Sequence, residues 1–396
     1  MKRILFVDDE PRLLQGLKQS LRGQRKVWEM FFVESGELAL EKVRTWQLDA
    51  VVSDMRMPGM DGAALLTQVR AIQPDTLRIV LSGQMDENTA CRAAAAAHRF
   101  LAKPCETETL IATLSRALEL QEQLSSDELR KCIGGMASLP SLPASCAALN
   151  RALQNPDVRL SEVVQIIEND VGMSVKVLQL VNSSFFGLSR HIAAIEQAVM
   201  HLGLGAVRSL VVANALFERL SNGDTSMVQA EQARSLLAAR YARRFALDRR
   251  QSDIAVTAAM LHDVGRLALL ARLPEQCALA RTYAEQHGVP LAEAELVQFG
   301  VTHAAVGAHL LGLWGLPLEV GQVVGCQHAS LDTLTSLEAC AVVYLARALA
   351  AEATDAVGPD AVPLPAELCE RLGVAHVVAT AREEIAALRL DSRAAS

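Results

Sequence analysis

The stretch Ile-Leu-Phe-Val-Asp-Asp-Glu, residues 4–10, decides how the first part of the chain folds. Four apolar residues are followed at once by three acidic ones, and amphipathic segments with helical spacing separate this run from similar ones downstream. Strand and helix alternate five times within about 120 residues, which is typical of a parallel sheet with helices on both faces. The predicted strands are Ile4–Val7, Val27–Val33, Leu48–Val52, Leu77–Leu81 and Arg99–Ala102.

Polar residues follow four of these strands at the point where each strand ends. Because the carboxyl ends of parallel strands meet at one edge of the sheet, we expect these side chains to converge. Carboxylate oxygens suit Mg²⁺, an aspartate can act as a nucleophile, and lysine and serine can hold a transferred phosphoryl group. The residues are Asp8, Asp9, Asp54, Ser82 and Lys103.

Four motifs in this region resemble those of the receiver domain of bacterial response regulators. They are VDDE at 7–10, DMRMPGMDG at 54–62, LSG at 81–83 and FLAKP at 100–104. The resemblance covers residues 1–122 and implies an α/β, doubly wound, flavodoxin-like fold with a five-stranded parallel sheet.

The same resemblance implies a role for each matching position. Asp54 is the expected phosphoacceptor, and Ser82 and Lys103 are expected to contact the phosphoryl group. Ser82 and Phe100 are the expected switch pair, which changes rotamer on phosphorylation. The expected Mg²⁺ ligands are Asp9 and Asp54 directly, Asp8 through water, and the backbone carbonyl of Arg56.

Composition narrows the possible functions. The chain has 396 residues and a net charge of −7, which argues against coating nucleic acid or an anionic membrane. Its 8 cysteines form no C-x-x-C pair, so we expect free thiols in a reducing cytoplasm rather than disulfides. The uncharged stretch Leu296–Leu318 is long enough to span a bilayer, but its glycines, histidines and proline favour two buried elements of a soluble domain.

The character of the sequence changes after residue 122. A polar, glycine-containing segment at 123–137 is the predicted linker. Residues 138–345 then show helical patterns only, which predicts an all-α domain. Residues 346–396 read as a helical extension and tail, interrupted by a Pro/Gly-rich loop at Asp355–Pro365.

A second group of candidate site residues lies in the helical region. His262 and Asp263 are adjacent in a predicted helix, and His303 and His328 follow in apolar helical contexts. Imidazole and carboxylate together suit Fe or Mn, and such a site can activate water. Equally, a histidine on an apolar helix face can be a structural core residue whose ring nitrogens are hydrogen-bonded. The neighbouring aspartate would then fix its tautomer.

The surrounding motifs resemble the HDOD domain, a relative of HD phosphohydrolases that serves as a signalling and interaction module. The motifs are LPSLP at 139–143, VNSSFFG at 181–187, the segment 195–203, LHDVG at 261–265, the segment 303–317 and His328. Two positions depart from the catalytic HD pattern, because Arg234 and Arg347 stand about where a ligand histidine and a ligand aspartate are expected.

These observations favour a two-component response regulator. A sensor histidine kinase or phosphotransfer protein is expected to phosphorylate Asp54, and the HDOD domain is expected to act on an unidentified signalling partner without catalysis. One alternative is a phosphorylation-gated, metal-dependent phosphohydrolase for a nucleotide or cyclic dinucleotide, with the second group as its ligands. Another is a receiver that only controls formation of a homodimer. We expect Mg²⁺ in the first domain and no complete metal site in the second.

Overall fold

The computed structural model describes residues 1–83, 96–122, 136, 143–155, 157–182, 191–212, 226–245, 247–328, 330–354 and 358–395. The chain forms two compact units, residues 1–219 with 312–316 and residues 220–311 with 317–396. Apart from Met136, the predicted linker 123–137 lies outside the described residues, as do most of 139–143 and the motif residues 183–187.

A five-stranded parallel sheet forms the core of the first unit, as the alternating pattern predicts. The strand order is β2-β1-β3-β4-β5, so the third strand pairs with the first. Apolar side chains of the strands are almost completely buried, because helices cover a parallel sheet on its faces. The strands are β1 Lys2–Val7, β2 Trp28–Val33, β3 Ala50–Asp54, β4 Leu77–Ser82 and β5 Arg99–Ala102.

Helices connect these strands, and local sequence signals mark where they begin. Ser35 and Asp61 cap the second and third helices by accepting hydrogen bonds from backbone N–H groups three residues ahead. Pro11 occupies the first position of the first helix, where its missing N–H costs nothing. The helices are α1 Pro11–Ser20, α2 Gly36–Thr45, α3 Gly62–Ile72 and α4 Thr107–Glu122, with a 3-10 turn at Leu21–Lys26.

The rest of the first unit is helical. Asp170 caps the buried helix that follows it by accepting from the N–H of Met173 at 2.9 Å. Gly203 has a φ of +73°, which interrupts the helical geometry of the longest of these helices. The helices are α5 Pro143–Gln154, α6 Leu160–Glu168, α7 Val171–Val181 and α8 Ile195–Val212.

The described part of the second unit is also built from helices, as the sequence predicts. They are α9 Ser226–Ala242, α10 Arg249–Leu261, α11 Val264–Arg272, α12 Pro274–His287, α13 Leu291–Phe299, α14 His303–Leu313, α15 Leu318–Gly325, α16 Ala339–Ala353, α17 Ala366–Arg371 and α18 Ala375–Ala395. Short 3-10 turns occupy Leu331–Thr333 and Gly358–Asp360, the second within the predicted loop Asp355–Pro365.

The uncharged stretch Leu296–Leu318 is divided between helices, as expected, and α13 and α14 are bent by 73° at their junction. Most of its apolar residues are buried, but two near its start are not: Leu296 is 51% and Val297 is 65% exposed. Among the described residues, one helical stretch is long and apolar enough to cross a membrane: Arg249–Arg272, which comprises α10, the turn at 262–263 and α11. Its most apolar 18-residue window is 83% buried.

The expectation of free thiols is wrong for one pair of cysteines. Cys326, at the end of α15, and Cys340, in α16, form a disulfide across 14 residues of sequence, with 6.8 Å between their Cα atoms. Folding brings these two cysteines together although they are 14 residues apart and belong to no C-x-x-C motif. Cys105, Cys277 and Cys369 are free.

One buried amide joins the loops around β3. The Gln73 side chain donates to the backbone carbonyls of Val43 and Trp46, the latter at 2.6 Å. Its carbonyl oxygen accepts from the N–H of Leu48 at 3.0 Å and from the hydroxyl of Thr76 at 3.1 Å. Gln73 therefore satisfies backbone groups at the end of α2 and just before β3.

Replacing Gln73 with leucine tests this role at nearly constant side-chain volume. The variant leaves two carbonyls and one N–H without partners, and we expect the free energy of unfolding to fall by about 3 kcal/mol. The measurement is urea unfolding of the full chain followed by tryptophan fluorescence, since Trp28 and Trp46 belong to the first unit. Gln19→Leu, an exposed position on α1, is the matched control, and an equal shift in both variants contradicts the assignment.

Candidate functional site

Three residues that follow strands of the sheet form one ion-paired cluster. The ammonium group of Lys103, just past β5, lies 2.6 Å from a carboxylate oxygen of Asp8 and also contacts the carboxylate of Asp54. Asp8 and Asp54 are buried, at 2% and 7% exposure. The predicted convergence of these three residues is therefore confirmed in the structure.

The backbone around Asp54 is held by two further features. Its second carboxylate oxygen accepts from the N–H of Arg56 at 2.8 Å. Gly62, the first residue of α3, packs so closely on the backbone carbonyl of Asp54 that a Cβ atom there would collide with it. The start of α3 and the turn at Arg56 thus fix where Asp54 stands.

Burial and ion pairing act in opposite directions on the pKa values of Asp54 and Lys103. Burial raises the pKa of Asp54 above its ordinary value, although Lys103 acts in the opposite direction. For Lys103, burial alone would lower the pKa, but hydrogen bonds to Asp54 and Asp8 outweigh it and raise the pKa. Lys103 therefore remains a cation that neutralises two neighbouring carboxylates.

The other predicted residues of this site lie nearby with their own contacts. Ser82 ends β4 and its hydroxyl donates to the carbonyl of Gly83 at 3.3 Å. Phe100 is buried in β5, with 7% of its surface exposed. Asp9 is half-buried at the end of β1. The roles of Ser82 and Phe100 as a switch, and of the Arg56 carbonyl as a ligand, stay predictions.

The donor set at this edge of the sheet suits Mg²⁺, since Asp8, Asp9 and Asp54 supply only oxygen atoms. In the described part of the chain, no three histidine, cysteine or acidic side chains are arranged as a ready metal cluster. Lys103 supplies the positive charge between Asp8 and Asp54. A divalent cation would share these carboxylates with Lys103.

The second candidate group lies in the second unit, and its setting differs from the prediction. His262 and Asp263 do not lie within one helix; they form the turn between α10 and α11. Asp263 has φ −94° and ψ 12°, outside helical geometry. The carbonyl of His262 accepts from the side chain of Gln327 at 2.7 Å, which replaces a helical partner and stabilises the turn.

The structure does bring the four predicted residues together. Asp263 lies 3.0 Å from Nε2 of His262 and 3.7 Å from Nε2 of His303. His328 reaches His303 with 3.0 Å between their Nε2 atoms. His262, Asp263 and His303 are buried, whereas His328 is exposed at the rim of the group.

Each ring nitrogen of the two buried histidines in this group has a polar neighbour. Nδ1 of His262 lies 2.6 Å from the carbonyl of Ala259, and its Nε2 lies 3.0 Å from the Asp263 carboxylate. Nδ1 of His303 lies 2.7 Å from Glu295, and its Nε2 lies 3.0 Å from Nε2 of His328. Both ring nitrogens of His262 are therefore engaged by neighbouring oxygen atoms.

Arginines complete the surroundings of Asp263. The guanidinium of Arg234 lies 3.5 Å from the Asp263 carboxylate and also pairs with Glu231. Burial alone would raise the pKa of Asp263, but His262 and Arg234 hold it well below its usual range. Arg234 thus supplies the positive charge that a metal would bring, and these residues do not fit a hydrolytic metal centre as arranged here.

Sequence reasoning missed three acidic residues of this group. Glu231, on α9, pairs with Arg234 and lies 2.9 Å from Arg266, and Glu295 accepts from both the backbone N–H and the ring of His303. Asp360 lies 2.8 Å from Arg266 and 2.8 Å from Arg281. They belong to no motif that was recognised. For Glu295 the available signal was an acidic residue in a largely apolar helix, whereas Asp360 lies in a 3-10 turn that carries no such signal.

Close packing of α11 against α14 positions the residues of this second group. Gly265 on α11 lies against the backbone of α14, where a Cβ atom would collide with the His303 carbonyl and the Gly307 nitrogen. The contact brings the start of α14, and with it His303, next to Asp263. A cavity of about 310 Å³ opens beside these residues within the second unit.

Comparison with known families identifies both regions. Residues 4–115 match the response regulator receiver domain family, and residues 139–330 match the HDOD domain family. The chain carries a receiver domain followed by an HDOD domain, as the sequence motifs predict.

Individual relatives share parts of this arrangement. An uncharacterised protein of Treponema pallidum is 27% identical over 198 residues, which are 48% of this chain and 37% of that protein. The C4-dicarboxylate transport transcriptional regulatory protein DctD of Pseudomonas aeruginosa is 35% identical over 121 residues, 30% of this chain and 26% of that one. The chain therefore matches well under half the length of these curated relatives.

A solved structure resembles a longer part of the chain. The MmoQ response regulator from Methylococcus capsulatus str. Bath is 24% identical and has a TM-score of 0.48. The similarity covers 62% of this chain and 97% of that one.

Substitution of Asp263 tests whether the group is structural. Asp263→Asn removes the charge that His262 and Arg234 share, and we expect the free energy of unfolding to fall by about 3 kcal/mol at pH 7. Because the folded-state pKa is depressed, the stabilisation is present above about pH 4 and is lost as the pH falls further. The difference between parent and variant should therefore shrink in acid.

Urea unfolding of the full chain between pH 3 and 7 measures this effect. Asp248→Asn is the matched control, because Asp248 is the exposed N-cap of α10 and asparagine caps equally well. An Asp263 variant as stable as the parent at pH 7 would contradict the assignment.

Proposed function

We propose that this protein is a cytoplasmic phosphorelay regulator in which Asp54 accepts a phosphoryl group from a sensor histidine kinase or phosphotransfer protein. The observation that carries the proposal is the ion-paired cluster of Lys103, Asp8 and Asp54 at the carboxyl edge of the parallel sheet. Asp54 is the nucleophile in this scheme, and Lys103 neutralises the oxygens that the transfer adds.

The chain's own residues have defined tasks in the transfer. The Arg56 N–H and Lys103 orient the Asp54 carboxylate, and the close approach of Gly62 fixes its backbone. Bound Mg²⁺, held by Asp8, Asp9 and Asp54, would supply further positive charge to the phosphoryl oxygens. After transfer, Lys103 gives up its contact with the free carboxylate, and Ser82 turns its hydroxyl from Gly83 to the phosphoryl group.

The response is proposed to spread from the edge of the sheet. Ser82 ends β4, and Phe100 lies on the neighbouring strand β5, opposite Val80. Movement of Ser82 leaves space into which Phe100 can turn, which changes the surface around these two strands. The HDOD domain then gains or loses affinity for a signalling protein, without chemistry of its own.

Substitution of the phosphoacceptor tests the first step. The full chain, incubated with Mg²⁺ and acetyl phosphate, should gain one acid-labile phosphoryl group, and Asp54→Asn should abolish it, because an amide is not a nucleophile of this kind. Phosphate-affinity gel electrophoresis measures the product. Asp61→Asn, which keeps the cap of α3, should be phosphorylated as the parent is.

Phosphorylation that survives in the Asp54 variant, or its loss in both variants, contradicts the proposal. Sedimentation of the phosphorylated parent and of Asp54→Asn also addresses the dimerisation hypothesis. A change of association state with no change in partner binding would favour that alternative.

The phosphohydrolase alternative draws its support from the convergence of His262, Asp263, His303 and His328 beside a cavity. The pairing of Asp263 with Arg234 favours a domain without hydrolytic activity. Arg347 lines the same cavity, where the catalytic HD pattern has a carboxylate.

Metal retention and hydrolysis distinguish the two functions. The full chain, equilibrated with Mn²⁺ or Fe²⁺ and then desalted, should hold no metal that depends on His262. It should hydrolyse bis(p-nitrophenyl) phosphate no faster than His262→Ala does. Stoichiometric metal that is lost in His262→Ala, together with turnover by the parent, would establish the enzyme instead.

A further inference from the structure

One arginine of the second unit is buried without a counterion. Arg347 lies in the middle of α16, is 8% exposed and lines the 310 Å³ cavity. Its Nη1 donates to the backbone carbonyl of Gln327, and its Nε has no hydrogen-bond partner. Within the described ranges, no carboxylate lies at ion-pair distance from Arg347.

The other arginines of the cavity wall are paired. Arg234 pairs with Glu231 and Asp263, and Arg266 pairs with Glu231 and Asp360. The remaining acidic residue of the wall, Glu293, is exposed to solvent at the start of α13.

An unpaired buried cation is costly, so its retention needs a reason. Removing a guanidinium from water costs several kcal/mol unless an opposite charge or a full set of acceptors replaces the water. Burial accordingly lowers the pKa of Arg347. An anion in the cavity would supply the missing partner to the planar, multidentate donor group.

Gln327 adds a second unsatisfied group to the same wall. It is 1% exposed, and its side-chain nitrogen donates to His262 while its side-chain oxygen has no partner. A ligand that pairs with Arg347 and with the side-chain oxygen of Gln327 would therefore carry both anionic oxygens and a hydrogen-bond donor, such as a hydroxyl group. The cavity lies at the lower end of the volumes of small-molecule sites.

We propose that this cavity of the HDOD domain binds the phosphoryl group of a small phosphorylated molecule, with Arg347 as its main anion-binding residue. The guanidinium places a positive charge in the cavity wall, which suits the site to binding an anion. The inference does not depend on phosphorylation of Asp54.

Calorimetric titration of the full chain tests the proposal. The probes are inorganic phosphate, glucose 6-phosphate and AMP, with glucose as the uncharged control, in chloride buffer without Mg²⁺. We expect saturable binding of at least one phosphate-bearing probe and none of glucose. Tighter binding of inorganic phosphate indicates that the ligand is the free ion, and tighter binding of either ester indicates a phosphorylated metabolite. Both outcomes support recognition of a phosphate group by this cavity.

Substitutions locate the site. Arg347→Met should weaken binding at least tenfold, whereas Arg250→Met, which removes an exposed arginine paired with Glu319, should not. Lys103→Met removes the phosphate-binding cation of the receiver domain and should leave the affinity unchanged. Arg347→Lys keeps the buried charge but loses the planar donor group, so it provides a folded variant with weakened binding if Arg347→Met does not fold.

Three results would overturn the proposal. The first is the absence of saturable binding of all three phosphate-bearing probes to the parent. The second is parental affinity in a folded Arg347 variant. The third is loss of binding in Lys103→Met with retention in Arg347→Met or Arg347→Lys, which would place the phosphate in the receiver domain.

Discussion

A charge that folding removes from water needs an opposite charge within hydrogen-bond reach, and both sites of this protein depend on that constraint. In the receiver domain, one ammonium group serves two buried carboxylates, Asp8 and Asp54. In the HDOD domain, the carboxylate of Asp263 serves His262 and Arg234. The two arrangements are inverse, with a shared cation in one and a shared anion in the other.

This difference has chemical consequences. Lys103 is long and flexible, so under the proposed function it can follow new oxygens as they arrive on Asp54 while staying hydrated at one side. Asp263 is enclosed by neighbouring side chains, and its carboxylate faces His262 and Arg234. In this proposal the first cluster changes its charge when Asp54 is phosphorylated, and the second keeps its charge.

Much of the first site follows from the sequence. Parallel strands place their carboxyl ends at one edge of the sheet, so a polar residue that follows an apolar run, such as Asp54 or Lys103, can be assigned to that edge from the sequence. The sequence pattern also predicts both ends of β5, Arg99 and Ala102, correctly. The second site is less predictable from the sequence, because Glu231 and Asp360 form ion pairs with Arg266 only in the folded tertiary structure. Their separation in the chain carries no periodic signal. Likewise, the turn at His262 depends on a distant partner, Gln327.

The position of Asp360 bears on where the HDOD domain ends as a folding unit. The family match stops at residue 330, yet Arg347 lies beyond it on α16, and Asp360 lies further still. A chain cut at residue 330 or 345 would leave Arg266 and Arg281 without the carboxylate of Asp360 that holds them together. The segment beyond the family match therefore supplies part of the wall of the cavity and two of its ion pairs.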